Sequence, residues 1–134
     1  MAEVTVKQLD EFDTAYGGAM KRIRAGLGVT SFGMQVFDIP PNFDSWPEHD
    51  HSDDGQEEVY TVLDGAVMLH ADGESHELTP GVFARVAPTV SRTLSTGDQP
   101  ARVLALGATP GTAYAVQEWT EEGAEVPTVS SAGA

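Results

Sequence analysis

The chain contains no cysteine among its 134 residues. Disulfide frameworks, cysteine-built zinc sites and thiol nucleophiles are therefore excluded. Basic residues are scarce: 7 Lys and Arg stand against 21 Asp and Glu, for a formal net charge of −14. Such a field repels nucleic acid and anionic membranes and attracts cations. No stretch approaches the roughly 18 consecutive apolar residues of a membrane span. The opening "MAEVTVKQLDEF" has neither a basic start nor an apolar run, so a secretory signal is not expected. These absences lead to the expectation of a soluble, cytoplasmic protein with no nucleic-acid or membrane partner.

What is present points to strands. The length fits one domain, and 40% hydrophobic residues are enough to build a core. Fourteen glycines and 8 prolines punctuate short β-branched runs. Turn signals recur roughly every 8 to 12 residues, the spacing of a sandwich or barrel rather than of βαβ units. The expected strands are residues 29–39, 57–63, 66–71, "ESHEL", 82–87, 91–96 and 101–108, with a short edge strand over 3–9. Residues 1–28 are read as an N-terminal extension with one helical turn in "GGAMKRIRAGLG", and 29–120 as the β-domain. The acidic, aperiodic residues 121–134 are read as a flexible tail.

One stretch carries chemistry. "HDHSDDGQEE", residues 49–58, sets two histidines one residue apart ahead of a glutamate pair. In extended backbone His49 and His51 share a face, with Cα atoms about 7 Å apart. That suits two imidazoles leaning onto one ion. Asp53, Asp54 and Gly55 suit a turn that brings Glu57 and Glu58 back beside the histidines. Alternation points one of the two glutamates inward. On the 29–39 strand, period 2 groups Gln35 with Phe37 and Val36 with Met34, without saying which face is inside.

"HDHSDDGQEEVYTVLDG" resembles the first motif of the cupin superfamily, His-x-His, a gap, Glu, six residues, Gly. The count back from Gly65 selects Glu58 over Glu57, across a gap longer than the common one. "LTPGVFARVAPTVSRTL" resembles the second motif, in which a histidine follows a proline. The layout is similar to small single-domain bacterial cupins of the RmlC-like, cupin-2 type. The resemblance implies an all-β jelly-roll barrel, a homodimer, and a three-histidine, one-glutamate metal site. Here the third histidine position falls on Thr93, or on Arg92 with a one-residue slip, and Val90 stands in place of a glycine. His49, His51 and Glu58 remain as metal ligands, suited to Fe, Mn, Ni or Zn.

Gln35, Tyr60, Arg92 and Thr93 are the candidate pocket residues. Arg92 either binds an anionic substrate or points outward on its strand, and the outward placement is preferred. Lys21, Arg22 and Arg24 are read as a solvated or dimer-facing group, His70 as a satisfied wall histidine and His76 as exposed. Trp46 either caps the barrel entrance or packs in the core. Two functions follow. The first is a metal-dependent enzyme of oxygenase or isomerase type acting on a small organic molecule. The second is a metal-free cupin that binds a sugar or small acid, as a sensor or an epimerase-like acid–base catalyst. A storage or purely structural barrel is the third reading.

Overall fold

The computed structural model describes residues 3–127. Among them nine strands form two antiparallel sheets. In chain order these are β1 (Thr14–Ala15), β2 (Met20–Lys21), β3 (Gly33–Ile39), β4 (Glu57–Gly65), β5 (Val67–Ala71), β6 (Glu74–Leu78), β7 (Phe83–Val86), β8 (Arg92–Ser95) and β9 (Ala101–Ala108). The larger sheet runs β1-β2-β3-β9-β4-β7 and the smaller β6-β5-β8. This is an all-β jelly roll, two sheets folded over one core. Residues 42–49 run irregularly beside β8 and extend the smaller sheet. The Asn42 amide donates to the Gly97 carbonyl at 2.6 Å, and His49 and Arg92 exchange backbone bonds at 3.1 and 2.9 Å.

Period-2 alternation explains the core. On β9, Ala101, Val103 and Ala105 are buried between the sheets and the intervening residues are half-buried outside. They meet Phe37 and Ile39 of β3, Tyr60 and Val62 of β4, and Val67, Leu69, Leu78 and Leu94 of the smaller sheet. The Gln35–Phe37 face of β3 is therefore the inner one. Val36 faces outward and packs with Phe12 and Ile23 in a second, smaller cluster. Gly65 closes the β4–β5 turn at φ 81°, where a Cβ would lie 2.0 Å from the Pro100 carbonyl oxygen. Only glycine fits so close an approach in the left-handed region.

The N-terminal extension departs from expectation. Residues 3–9 form no strand, and Val4 and Val6 stand exposed with no sheet edge to cover them. The added strands are β1 and β2, which pair onto β3. The helical turn is α1 (Ile23–Leu27), closed by Gly28 in the left-handed region. Arg22 and Arg24 are not a solvated or dimer-facing pair: they are 2% and 3% exposed. Arg22 pairs with Asp13 at 2.6 Å and donates to the Trp119 and Ala124 carbonyls at 2.9 and 2.8 Å. Arg24 reaches Glu121 at 2.7 Å and the Val29 carbonyl at 2.9 Å. Lys21 pairs with Asp38 at 3.0 Å. Residues 119–124 are thus strapped to the extension, and the rest of the expected tail after residue 127 lies outside the described residues. Among the described residues, no helix is long and apolar enough to cross a membrane.

Candidate metal centre

Backbone bonds fix both histidines. His49 is tied to Arg92, and the His51 amide donates to the Pro88 carbonyl at 2.7 Å. The chain then turns tightly, with the Gly55 amide on the His51 carbonyl at 2.7 Å. Glu58 enters on β4 opposite Gly107 of β9. A Cβ at position 107 would meet the Gln56 Oε1 atom at 2.6 Å and Glu58 Cγ at 3.4 Å, so glycine there makes room for the site.

The result is a three-residue cluster of His49, His51 and Glu58, with one ligand atom from each lying within 4.8 Å of the others. Glu58 Oε1 is 3.3 Å from His51 Nε2 and 3.7 Å from His49 Nε2. Glu58 is 1% exposed and His51 5%. Glu57 takes the other face and pairs with Arg85, so the inward glutamate is the one counted from Gly65.

The tautomers follow from the outer partners. His49 Nδ1 lies 3.4 Å from the Pro47 carbonyl and His51 Nδ1 lies 3.0 Å from an Asp54 carboxylate oxygen. Both partners only accept, so each Nδ1 carries the proton and, in a neutral ring, each Nε2 presents a lone pair. Both Nε2 atoms are buried without a hydrogen-bond partner. In that tautomer two lone pairs face the Glu58 carboxylate, whose Oε1 already accepts from Tyr60 and Arg92; a proton on a ring or a metal ion would relieve the opposition. The three donors fit one ion, and the outer partners are of the kind that orient metal-binding histidines. Asp54 is itself held by the Gln56 amide at 3.1 Å and the Gln56 side chain at 2.9 Å. That orienting role was missed in the sequence, where "DDG" signalled only a turn.

The pocket candidates divide. Tyr60 donates its hydroxyl to Glu58 Oε1 at 2.7 Å. Gln35 lies in the same cross-strand row as Tyr60, through Ala105 of β9. Its Oε1 atom is buried and unpaired, a third orphaned acceptor on the inner face. Arg92 points inward, against the preferred outward placement, and is 1% exposed. It pairs with Glu58 through Nη1 and donates to the Val90 and Ala87 carbonyls at 3.0 and 2.9 Å. It ties Glu58 to the turn after β7. Thr93 is not brought into the cluster: its hydroxyl donates to the Trp46 carbonyl at 2.7 Å. Alternation on β8 buries Arg92 and Leu94 together, so Arg92 rather than Thr93 reaches Glu58. Trp46 packs edge-on against Phe37 at 4.8 Å. His70 is satisfied by Ser75 and Ser95, each at 2.7 Å, and the His76 side chain is 52% exposed.

Burial works to raise the Glu58 pKa, but the proximity of the His49 and His51 rings, the charge of His51 when protonated and the Tyr60 hydroxyl outweigh it and lower it from 4.5 to about 2. For His51, burial works to lower the pKa, and the adjacent Glu58 carboxylate, with Asp54, raises it above 6.5. Burial first, then the Glu58 charge, keeps the Tyr60 phenol protonated well above its ordinary value. Because the folded Glu58 pKa is depressed, its contribution is complete above pH 4.5 and is lost as pH falls towards about 2. That contribution is about 3 kcal/mol in metal-free protein. Glu58→Gln is expected to flatten the stability–pH slope between about pH 5 and pH 3, measured by urea unfolding. The His51 window lies above pH 6.5 and does not overlap. An unchanged slope in the variant would show that Glu58 is not ionised in this network.

The family model "Cupin domain" matches residues 35–107, which span β3 to β9 and include every residue of the cluster. The chain belongs to the cupin family. No curated protein matches the sequence. Among solved structures, a cupin protein from Bacteroides fragilis is similar at 22% identity and a TM-score of 0.68, covering 94% of this chain and 100% of that one. A sugar phosphate isomerase of the cupin superfamily from Silicibacter pomeroyi DSS-3 is similar at 24% identity and a TM-score of 0.63, covering 77% of this chain and 74% of that one. The DMSP lyase DddQ from Ruegeria pomeroyi DSS-3 is similar at 24% identity and a TM-score of 0.54, covering 69% of this chain and 45% of that one. At these identities the likeness concerns the cupin fold, which hosts many chemistries.

Proposed function

We propose that this cupin holds one divalent transition-metal ion, Fe, Mn, Ni or Zn, on His49, His51 and Glu58, and acts on a small organic molecule beside it. The observation that carries this reading is the pair of buried, unpartnered Nε2 atoms facing the Glu58 carboxylate. When bound, such an ion supplies Lewis-acid polarisation of a substrate oxygen, or the dioxygen chemistry of a two-histidine, one-carboxylate site. Either suits an enzyme of isomerase or oxygenase type. The chain's own groups have separate tasks. Asp54 and the Pro47 carbonyl set the imidazole tautomers. Arg92 and Tyr60 hold Glu58 ionised and fixed. Gln35 offers a buried acceptor to a hydroxyl or amide of the substrate. Three protein donors would leave room on such an ion for water and substrate.

Arg92 also favours a second reading. Its guanidinium already places a positive charge on Glu58, so a metal-free site with His51, Glu58 and Tyr60 could bind a sugar or small acid and transfer protons. Exhaustive chelation separates the two. Loss of small-molecule binding or turnover, restored by adding back the ion, is expected on the metal reading. Retention after chelation would assign the metal-free one. On the family resemblance, the working form proposed is a cytoplasmic homodimer.

A further inference from the structure

A cavity of about 730 Å³ is lined by none of His49, His51 and Glu58; the link between them is Pro47, which lines the cavity and turns its carbonyl to His49 Nδ1. The cavity lies at the far end of β3, where Ile39 pairs with Ala101, whereas Glu58 sits in the row of Gly33 and Gly107 at the other end. Its walls include Tyr16, Phe37, Phe43, Trp46 and Trp119. The chain has 2 tryptophans, and both line this space. The volume falls in the range of small-molecule pockets, about 300 to 1,000 Å³.

The cavity is held open from outside. Trp119 is placed by its carbonyl, which accepts from buried Arg22, and Arg22 is anchored by Asp13. Trp46 is placed by Thr93 on its carbonyl and by the edge contact with Phe37. Neither wall depends on an occupant for its position. The charged lining groups are Asp38, Asp64 and Arg102. Asp38 is matched to Lys21 at 3.0 Å and to Arg102 at 2.7 Å, so both nearby cations are engaged. Asp64 adds an exposed carboxylate to a chain of net charge −14. An anionic headgroup finds no free cation here and meets a repulsive field.

From this we infer that the cavity is a second ligand site, distinct from the metal centre, for a neutral, planar, apolar molecule that stacks on Trp46 and Trp119. Aromatic walls favour offset and edge-to-face contacts with such a ligand. The inference does not rest on the metal reading.

The test is a fluorescence titration of the full chain with N-phenyl-1-naphthylamine, a neutral probe. It is paired with 1-anilinonaphthalene-8-sulfonate, the same ring system carrying a sulfonate. Saturable binding of one neutral probe per chain is expected, with the sulfonate at least about tenfold weaker. Ala19→Phe fills the cavity from its wall and is expected to weaken the neutral probe by about tenfold or more. Ser45→Phe, at an exposed lining position, replaces it if that variant does not fold. His51→Ala is expected to leave probe binding unchanged. Non-saturable binding, equal affinity for the sulfonate, or full affinity in the folded filling variant would overturn the proposal. So would probe binding lost in step with dimer formation in sedimentation, which would assign the face to a second copy of the chain.

Discussion

Arg92→Met is expected to lower folding stability by about 3–5 kcal/mol. Arg92 and Glu58 are each 1% exposed, and Nη1 of Arg92 bonds the carboxylate directly. Methionine fills similar space but leaves Glu58 as a buried charge with less compensation. It also strips donors from the Val90 and Ala87 carbonyls. Removing one partner of a buried pair costs more than removing both, because the survivor keeps its desolvation penalty. The double variant Arg92→Met/Glu58→Gln is therefore expected to be more stable than Arg92→Met alone. Urea unfolding of the four proteins, closed as a double-mutant cycle, gives the coupling. Additive losses would mean that Arg92 contributes packing and not charge. Lysine at position 92 is expected to rescue only in part, since a point charge cannot reach the carboxylate and two carbonyls as a planar guanidinium does.

The role of Arg92 marks where the sequence stops being readable. Strand alternation was legible: β9 occupies 101–108 as expected, and one of the two glutamates turns inward, Glu58, which only the count back from Gly65 in the family motif singled out. The His-x-His face was legible for the same reason, a period fixed by backbone geometry. The choice between Arg92 and Thr93 depended on how many residues the turn from Ala87 to Ser91 consumes, and a one-residue slip moves every side chain to the other face. Nothing local in "APTVSRT" fixes that number. The inner face of β3 was open because both faces are apolar, one packed in the main core and one against the extension. Arg22 was misread for a different reason. Its partners Trp119 and Ala124 lie 97 and 102 residues away in sequence. A buried arginine is defined by long-range acceptors that composition and spacing do not reveal.

Replacing His51 with alanine is expected to weaken metal binding by at least about a hundredfold, since it removes a direct ligand from a site with only three. Asp54→Asn should give a smaller loss, about tenfold or more, because it weakens the orientation of His51 without removing a ligand. The Asp54 carboxylate also lends charge to His51 at 3.0 Å, which the amide does not. Calorimetric titration of metal-free protein with Ni²⁺ orders the variants. Thr93→Ala serves as the control. Its hydroxyl is engaged by the Trp46 carbonyl, so affinity is expected to stay within about twofold of the parent. A large loss in Thr93→Ala, with little change in His51→Ala, would relocate the site.

On the metal reading, two histidines and one glutamate suffice to hold an ion although Arg92 pairs with the same glutamate. Elemental analysis of untagged protein, purified without chelator and again after reconstitution with Fe, Mn, Ni or Zn, addresses it directly. Close to one ion per chain is expected, lost when His49 and His51 are both replaced by alanine. No bound metal after reconstitution, or equal metal in the double variant, would contradict it and leave Arg92 as the permanent cation of a metal-free site.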